Sequence, residues 1–323
     1  MMNNIELKQK WSGLSENPVT RGFRSIRISS ECICELYMGV SKEGNRCLIL
    51  ALPSSEHLNF KRIQKENLSI EYFRENNLIV LQLTDINFDD LFDDLILSLY
   101  HGIKSLKQVD EYSTHFIQTF YRWSEFFEDR MSDLLSEDVI KGFMGELLVL
   151  KLLITSSHKA EINYLLKSWT GPYDKGNDFE LEKKNIEVKT KNPSSIDIKI
   201  SSEFQLEVSP GKGLELYVVS LLSDSTVGIH IRDLIFDIKN LIQESSGDTS
   251  ILWEALKQKN ITAKNVNLYD CYRFKPVNWA SYCCEVEEFP KLCRSNIPQE
   301  ISAVKYTLRT NLLAQFIINH KEF

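Results

Sequence analysis

Apolar and polar residues change their rhythm along this chain. Between about residues 20 and 85, short runs alternate with a period near two: Arg24–Ile28, Cys32–Val40, Arg46–Leu52, Leu68–Phe73 and Leu78–Leu83. Turn-forming stretches such as Lys42-Glu43-Gly44-Asn45 and Glu75-Asn76-Asn77 separate them. Side chains point alternately to the two faces of a strand, so this rhythm predicts an antiparallel β domain over residues 1–88. From Asp89 the period lengthens to that of a helix, and helices are predicted over 89–104, 110–129 and 137–155. The stretch 89–135 reads as a helical linker, and 136–323 as a further domain.

In that further domain strands and helices interleave. Asp178–Glu182, Ile186–Thr190, Ile196–Ile200 and Leu214–Leu221 read as strands, Ile231–Ile242 and Ile251–Gln258 as helices. Cys271–Phe274, Tyr282–Val286 and Val304–Leu308 are further strands, and Leu312–Ile318 a closing helix. Interleaving of this kind predicts an α+β or α/β core.

A chain of 323 residues exceeds what one hydrophobic core usually organises, in keeping with more than one domain. Net charge is −7, which argues against coating nucleic acid through overall charge. Residues 1–150 hold 23 acidic and 16 basic side chains, 151–323 hold 22 of each, so a DNA-binding surface, if the chain has one, belongs to the second half. There Lys183, Lys184, Lys189, Lys191 and Lys199 cluster. No window approaches the roughly 18 apolar residues of a membrane span, and no secretory signal opens the chain; a cytoplasmic protein is expected. Seven scattered cysteines read as free thiols, and Cys32/Cys34 and Cys283/Cys284 lack the spacing of a zinc site.

Candidate chemistry begins with a charge out of place. The predicted helix after Ser136 is apolar through Phe143, Met144, Leu147, Val149 and Leu150, yet Glu146 sits within it. A carboxylate among such neighbours needs a partner or a metal. Downstream, Lys183-Lys184-Asn185 is short enough for a hairpin between two alternating segments. An even-length loop puts Asp178 on the same face as Glu187 and Lys189, with Phe179, Leu181, Ile186 and Val188 on the opposite, core-facing side. Glu180 and Glu182 share the Asp178 face. Two carboxylates suit a magnesium ion that also keeps waters and phosphate oxygens. A lysine two residues beyond the Glu can reach the attacking water or the phosphate. On its own, Glu-x-Lys is a weak motif that exposed strands produce by chance, and a buried ion pair is the plain alternative for Glu146.

These residues resemble the PD-(D/E)xK phosphodiesterase superfamily, the fold of many restriction and repair nucleases. Asp178, Glu187-Val188-Lys189 and Gly145-Glu146 carry the likeness. The longer pattern from Gly142-Phe143-Met144-Gly145-Glu146-Leu147 to Ser201-Ser202-Glu203-Phe204-Gln205-Leu206 is similar to one bacterial family placed with that superfamily, found mainly in restriction and phage-defence neighbourhoods. The resemblance implies a restriction-endonuclease-like core, a mixed sheet flanked by helices. It also implies a DNA endonuclease using Mg2+, with Mn2+ as a substitute. By it, Asp178 and Glu187 hold the metal, Glu146 supports it, Lys189 assists the water, and Gln205 is an additional catalytic candidate. One departure stands out: Asn177 precedes Asp178, where the motif has proline.

DNA is the expected partner, with a homodimer and other defence-system subunits as further ones. A non-catalytic nucleic-acid-binding or assembly subunit that keeps the nuclease fold is the alternative. Aromatic and basic residues interleave at Tyr269, Tyr272, Arg273, Phe274, Lys275, Trp279 and Tyr282, as in a stacking platform or, more simply, in strands packed into a core. His57, His101, His115, His158, His230 and His320 show no ligand or triad spacing, and phosphate-binding glycine loops are missing from the sequence.

Overall fold

The computed structural model describes residues 2–14, 22–54, 58, 60, 62–128, 134–224 and 226–323; His57 and the end of the helix expected over 110–129 lie outside them. The chain divides into two units, one of residues 1–131 with 246–254 and 262–264, the other of 132–245 with 255–261 and 265–323.

In the first unit the period-two runs form an antiparallel sheet. Its strands are β1 (Phe23–Arg27), β2 (Glu35–Ser41), β3 (Arg46–Ala51), β4 (Ile63–Gln64), β5 (Leu68–Phe73) and β6 (Leu78–Leu83), in the order β1-β2-β3-β6-β5-β4. Helix α1 (Asn4–Leu14) was not expected from the sequence. It buries Leu7, Trp11 and Leu14, one helical face. Helices α2 (Asp89–Ile103) and α3 (Val109–Ser124) follow the predicted spans. Inside α2 the buried Asp93 accepts the Trp11 indole N–H at 2.6 Å and pairs with Arg46 at 3.0 Å. Burial pushes its carboxyl up to about 6, against the pull of both partners.

The second unit is a mixed α+β structure. Helices α4 (Glu137–Ser156), α5 (Ile162–Ser168), α6 (Ile231–Glu244) and α7 (Thr249–Gln258, shared with the first unit) accompany strands β7 (Phe179–Glu180), β8 (Lys184–Lys191), β9 (Asp197–Ile200), β10 (Gly213–Ser223), β11 (Phe274–Cys283), β12 (Tyr306–Arg309) and β13 (Ile317–Glu322). A five-stranded sheet runs β13-β11-β10-β8-β7, with β8 and β10 parallel and the other pairs antiparallel, while β9 and β12 pair separately.

Three predicted stretches are corrected. Cys271–Phe274 and Tyr282–Val286 are not separate strands, because β11 runs across the gap. Pro276, which reads as a strand breaker, sits at a register shift: Ser220 faces Asn278 and Leu221 faces Pro276, leaving Val277 as the extra residue. A bulge tolerates the missing N–H. Leu312–Ile318 is not a helix. Two short 3-10 turns, Thr310–Leu312 and Ala314–Phe316, bury Leu313 between them and Phe316 at their end, and the chain then extends as β13. Spacing of three fits a 3-10 turn as well as a helix, and the β-branched Ile317-Ile318 favour the strand.

Both faces of β8 are covered, so the expectation of a single core-facing side is also corrected. Ile186, Val188 and Thr190 lie against α4, where a side chain at Gly145 would run into Thr190 Cγ2 and stand 3.6 Å from Val188 Cγ1. Asn185, Glu187 and Lys189 lie beside Leu214, Leu216 and Val218 of β10. Those three belong to an apolar cluster with Ile198, Ile200, Leu206, Tyr282 and Leu308. Glu187 therefore points into the margin of a core rather than to solvent, at 2% exposure.

Candidate active site

Hairpin pairing brings the first two groups together. Phe179 of β7 faces Ile186 of β8 and Glu180 faces Asn185, so Asp178, one residue before β7, comes level with Glu187. The loop between paired residues is even in length, as the parity argument required. Asp178 turns one oxygen to the strand backbone, its Oδ2 accepting the Val188 N–H at 2.7 Å. Glu187 Oε1 accepts from Lys189 Nζ at 2.7 Å and its Oε2 from Asn177 Nδ2 at 3.2 Å.

Glu146 arrives from α4. Its Oε2 accepts the Trp169 indole N–H at 2.9 Å. Trp169 is fully buried and stacks on Phe143 at 5.3 Å and on Phe179 at 6.5 Å between ring centres. The indole is therefore clamped, and with it the direction of the glutamate. Gly171 closes the arrangement. A side chain there would strike Glu146 Oε2 and lie 3.0 Å from Asp178 Oδ1, so its missing Cβ keeps open a space that both carboxylates border.

Three carboxylates gathered in this way repel one another. Burial, reinforced by the charges of Glu187 and Glu146, pushes Asp178 well above the usual carboxylate range. Burial also raises Glu187, although the Lys189 ammonium beside it pulls the other way. Glu146 is pushed up to about 7, mainly by burial, against the opposing pull of the Trp169 N–H and the Lys259 and Lys189 charges. One lysine in direct contact does not neutralise three carboxylates, and the imbalance favours an added cation or retained protons.

The remaining sequence candidates are placed as follows. Gln205 reaches this network through its main chain: its carbonyl accepts from Asn177 Nδ2 at 2.7 Å, while its side-chain Oε1 accepts the Ser201 N–H at 2.7 Å. Glu180 and Glu182 are exposed. Lys191 donates to the Ser195 carbonyl at 2.7 Å, and Lys184 pairs with Glu215 at 2.6 Å. Tyr269, Phe274 and Tyr282 are buried, and Trp279 stacks on Tyr217 at 5.4 Å. The aromatic run is thus largely core.

Sequence reading missed Trp169, Gly171, Asn177 and Lys259. Trp169 and Gly171 carry no motif or periodic signal in the sequence, and Asn177 reads only as a departure from a motif. Lys259, which pairs with Asp174 at 2.5 Å, lies 113 positions from Glu146 with no pattern joining them. Hydrophobic spacing cannot register contacts of that kind.

Among the described residues, no three His, Cys, Asp or Glu side chains already form a metal cage. The donor set is nonetheless that of a hard cation: carboxylates only, without the imidazole and thiolate that zinc favours. Magnesium requires only one or two such ligands beside waters and phosphate oxygens, and the charge imbalance and the gap over Gly171 fit one. Also among the described residues, no helix is long and apolar enough to cross a membrane.

Comparison with known proteins adds a family. No curated protein matches the chain, and no solved structure does. The model of one family, described as "Putative PD-(D/E)XK family member" (DUF4420), matches residues 7–311, nearly the whole chain. The chain belongs to the DUF4420 family.

Proposed function

We propose that this protein is a divalent-metal-dependent endonuclease that hydrolyses DNA phosphodiester bonds, and that the sheet carrying β7 and β8 is its restriction-endonuclease-like core. The observation that supports this most is the convergence of Asp178, Glu146 and Glu187, all with raised proton affinity, beside Lys189. Family membership supports the reaction class. Mg2+ is the proposed cofactor and Mn2+ its substitute, and the proposed setting is cytoplasmic restriction or phage defence. Partner subunits and a homodimer belong to that proposal.

In this reading Asp178, Glu187 and Glu146 hold the ion. It would neutralise charge on the phosphate and lower the pKa of an attacking water. The chain's own groups do the positioning. Val188 N–H and the Trp169 indole each fix one oxygen of Asp178 and Glu146, so neither carboxylate has to reorganise when substrate arrives. Lys189 supplies the ammonium that orients a water or contacts the scissile phosphate once Glu187 shares its charge with the ion. The side chain of Gln205 would act only after leaving Ser201 N.

Nicking of supercoiled plasmid tests the reading, run in Mg2+ and in EDTA for the native protein and for Asp178→Ala and Lys189→Ala, with circular dichroism checking the fold. Metal-dependent nicking lost in both variants is expected. Equal cutting by folded variants would refute it. Metal-dependent cutting of RNA alone would reassign the substrate.

A further inference from the structure

Asn177 stands where the PD-(D/E)xK motif carries proline, and its side chain is a polar feature of the site to which the proposed roles give no part. It is buried, at 5% exposure. Its Nδ2 donates to Glu187 Oε2 at 3.2 Å and to the Gln205 carbonyl at 2.7 Å, while its Oδ1 accepts from Asn185 Nδ2 at 3.2 Å. The orientation of the amide is dictated chemically. A main-chain carbonyl only accepts, so the atom 2.7 Å from Gln205 O must be the amino group. Asn185 Nδ2 also donates to Ser209 Oγ at 3.3 Å, which anchors the far end of the chain.

The backbone accounts for the absent proline. Gly176 has φ of +55°, outside the extended region that a following proline imposes on its neighbour. A side chain at 176 would also strike Glu180 Oε1. The left-handed turn that delivers Asp178 thus disfavours a proline at 177.

We propose that Asn177 is a positioning residue of this metal site, holding the Glu187 carboxylate in its ligand-ready orientation through the buried relay Asn185, Asn177, Glu187. Lys189 can swing on its flexible stem, but the amide cannot turn without surrendering the Gln205 carbonyl. The inference rests on the metal-site reading above. Partners of this kind typically change metal affinity by about 10- to 100-fold.

Isothermal titration of Mn2+ into the full chain, with nuclease activity not required, tests it. Asn177→Ala is expected to weaken Mn2+ binding at least five-fold. Asn185→Ala, which frees the far end of the relay, should weaken it less but in the same direction, and it serves as the readout if Asn177→Ala does not fold. In a Glu187→Gln background, Asn177→Ala should have little further effect, an outcome that general destabilisation would not give. Asp178→Ala is the control. If it loses Mn2+ while Asn177→Ala binds within five-fold of the native protein, the inference falls and the site reading stands. If Asp178→Ala binds like the native protein, the site reading falls and takes this inference with it. An unchanged Asn177→Ala effect in the Glu187→Gln background overturns the proposed route through Glu187.

Discussion

Changing Glu146 to Gln removes one of the three clustered charges while keeping the side chain's shape and an oxygen for the Trp169 indole. Glu146 ionises near 7 instead of 4.5. At about 1.4 kcal/mol per pH unit, its charged form is less favourable in the folded protein by about 3 kcal/mol. The folded state therefore holds this proton more tightly than the unfolded chain. Stability from this source is fully present below about pH 4.5 and is lost as pH rises through about 7. Urea unfolding in EDTA at pH 5 and pH 8 measures the effect. The native protein should lose about 2–3 kcal/mol more than Glu146→Gln over that interval, part of the full effect being already lost at pH 5. Saturating Mn2+ at pH 8 should restore the native protein and affect the variant less. Parallel pH dependences in the two proteins would refute the reasoning, because they would mean that Glu146 ionises normally in the fold.

Gly171→Ala should push Glu146 Oε2 off the Trp169 N–H, lowering Mn2+ affinity at least ten-fold by calorimetry and costing about 1–3 kcal/mol in unfolding free energy. Gly145→Ala meets Thr190 inside a packed layer, where added volume costs about 1–3 kcal/mol, so a lower Tm is expected by scanning calorimetry. Trp169→Phe keeps an aromatic ring between Phe143 and Phe179 but takes a donor from the buried Glu146; weaker Mn2+ binding and a loss of about 1–3 kcal/mol in urea unfolding are expected, and native affinity would show that the hydrogen bond is dispensable for the metal. In the first unit, Trp11→Phe takes a donor from the buried Asp93, and a loss of about 1–2 kcal/mol in urea unfolding should follow.

The parts of the site visible in the sequence are those that local rules govern. Glu187 and Lys189 share a face because strand period is two. Asp178 joins them because a short hairpin preserves parity. Glu146 was noticeable because a carboxylate among Phe143, Leu147 and Leu150 contradicts the helix around it. The groups that orient these carboxylates escaped, since Trp169, Gly171, Asn177 and Lys259 act through tertiary contacts that leave no periodic trace. The burial of Glu187 had the same cause: alternation marks two faces of a strand, but only the fold reveals that Leu214, Leu216 and Val218 cover the polar one. Strand order followed a similar division. The antiparallel character of the first sheet was readable from its turns, but its order was not, since β3 pairs with β6 across β4 and β5; β11 was obscured by Pro276 at a bulge, and the closing segment by a spacing of three shared by helix and 3-10 turn.

The most direct test is an anomalous difference map from a crystal grown at neutral pH and soaked in Mn2+. A peak within coordination distance of Asp178 and at least one of Glu146 and Glu187 is predicted, lost in Asp178→Ala crystals. A map at saturating Mn2+ with no peak there would contradict the claim that these carboxylates form a metal-dependent centre.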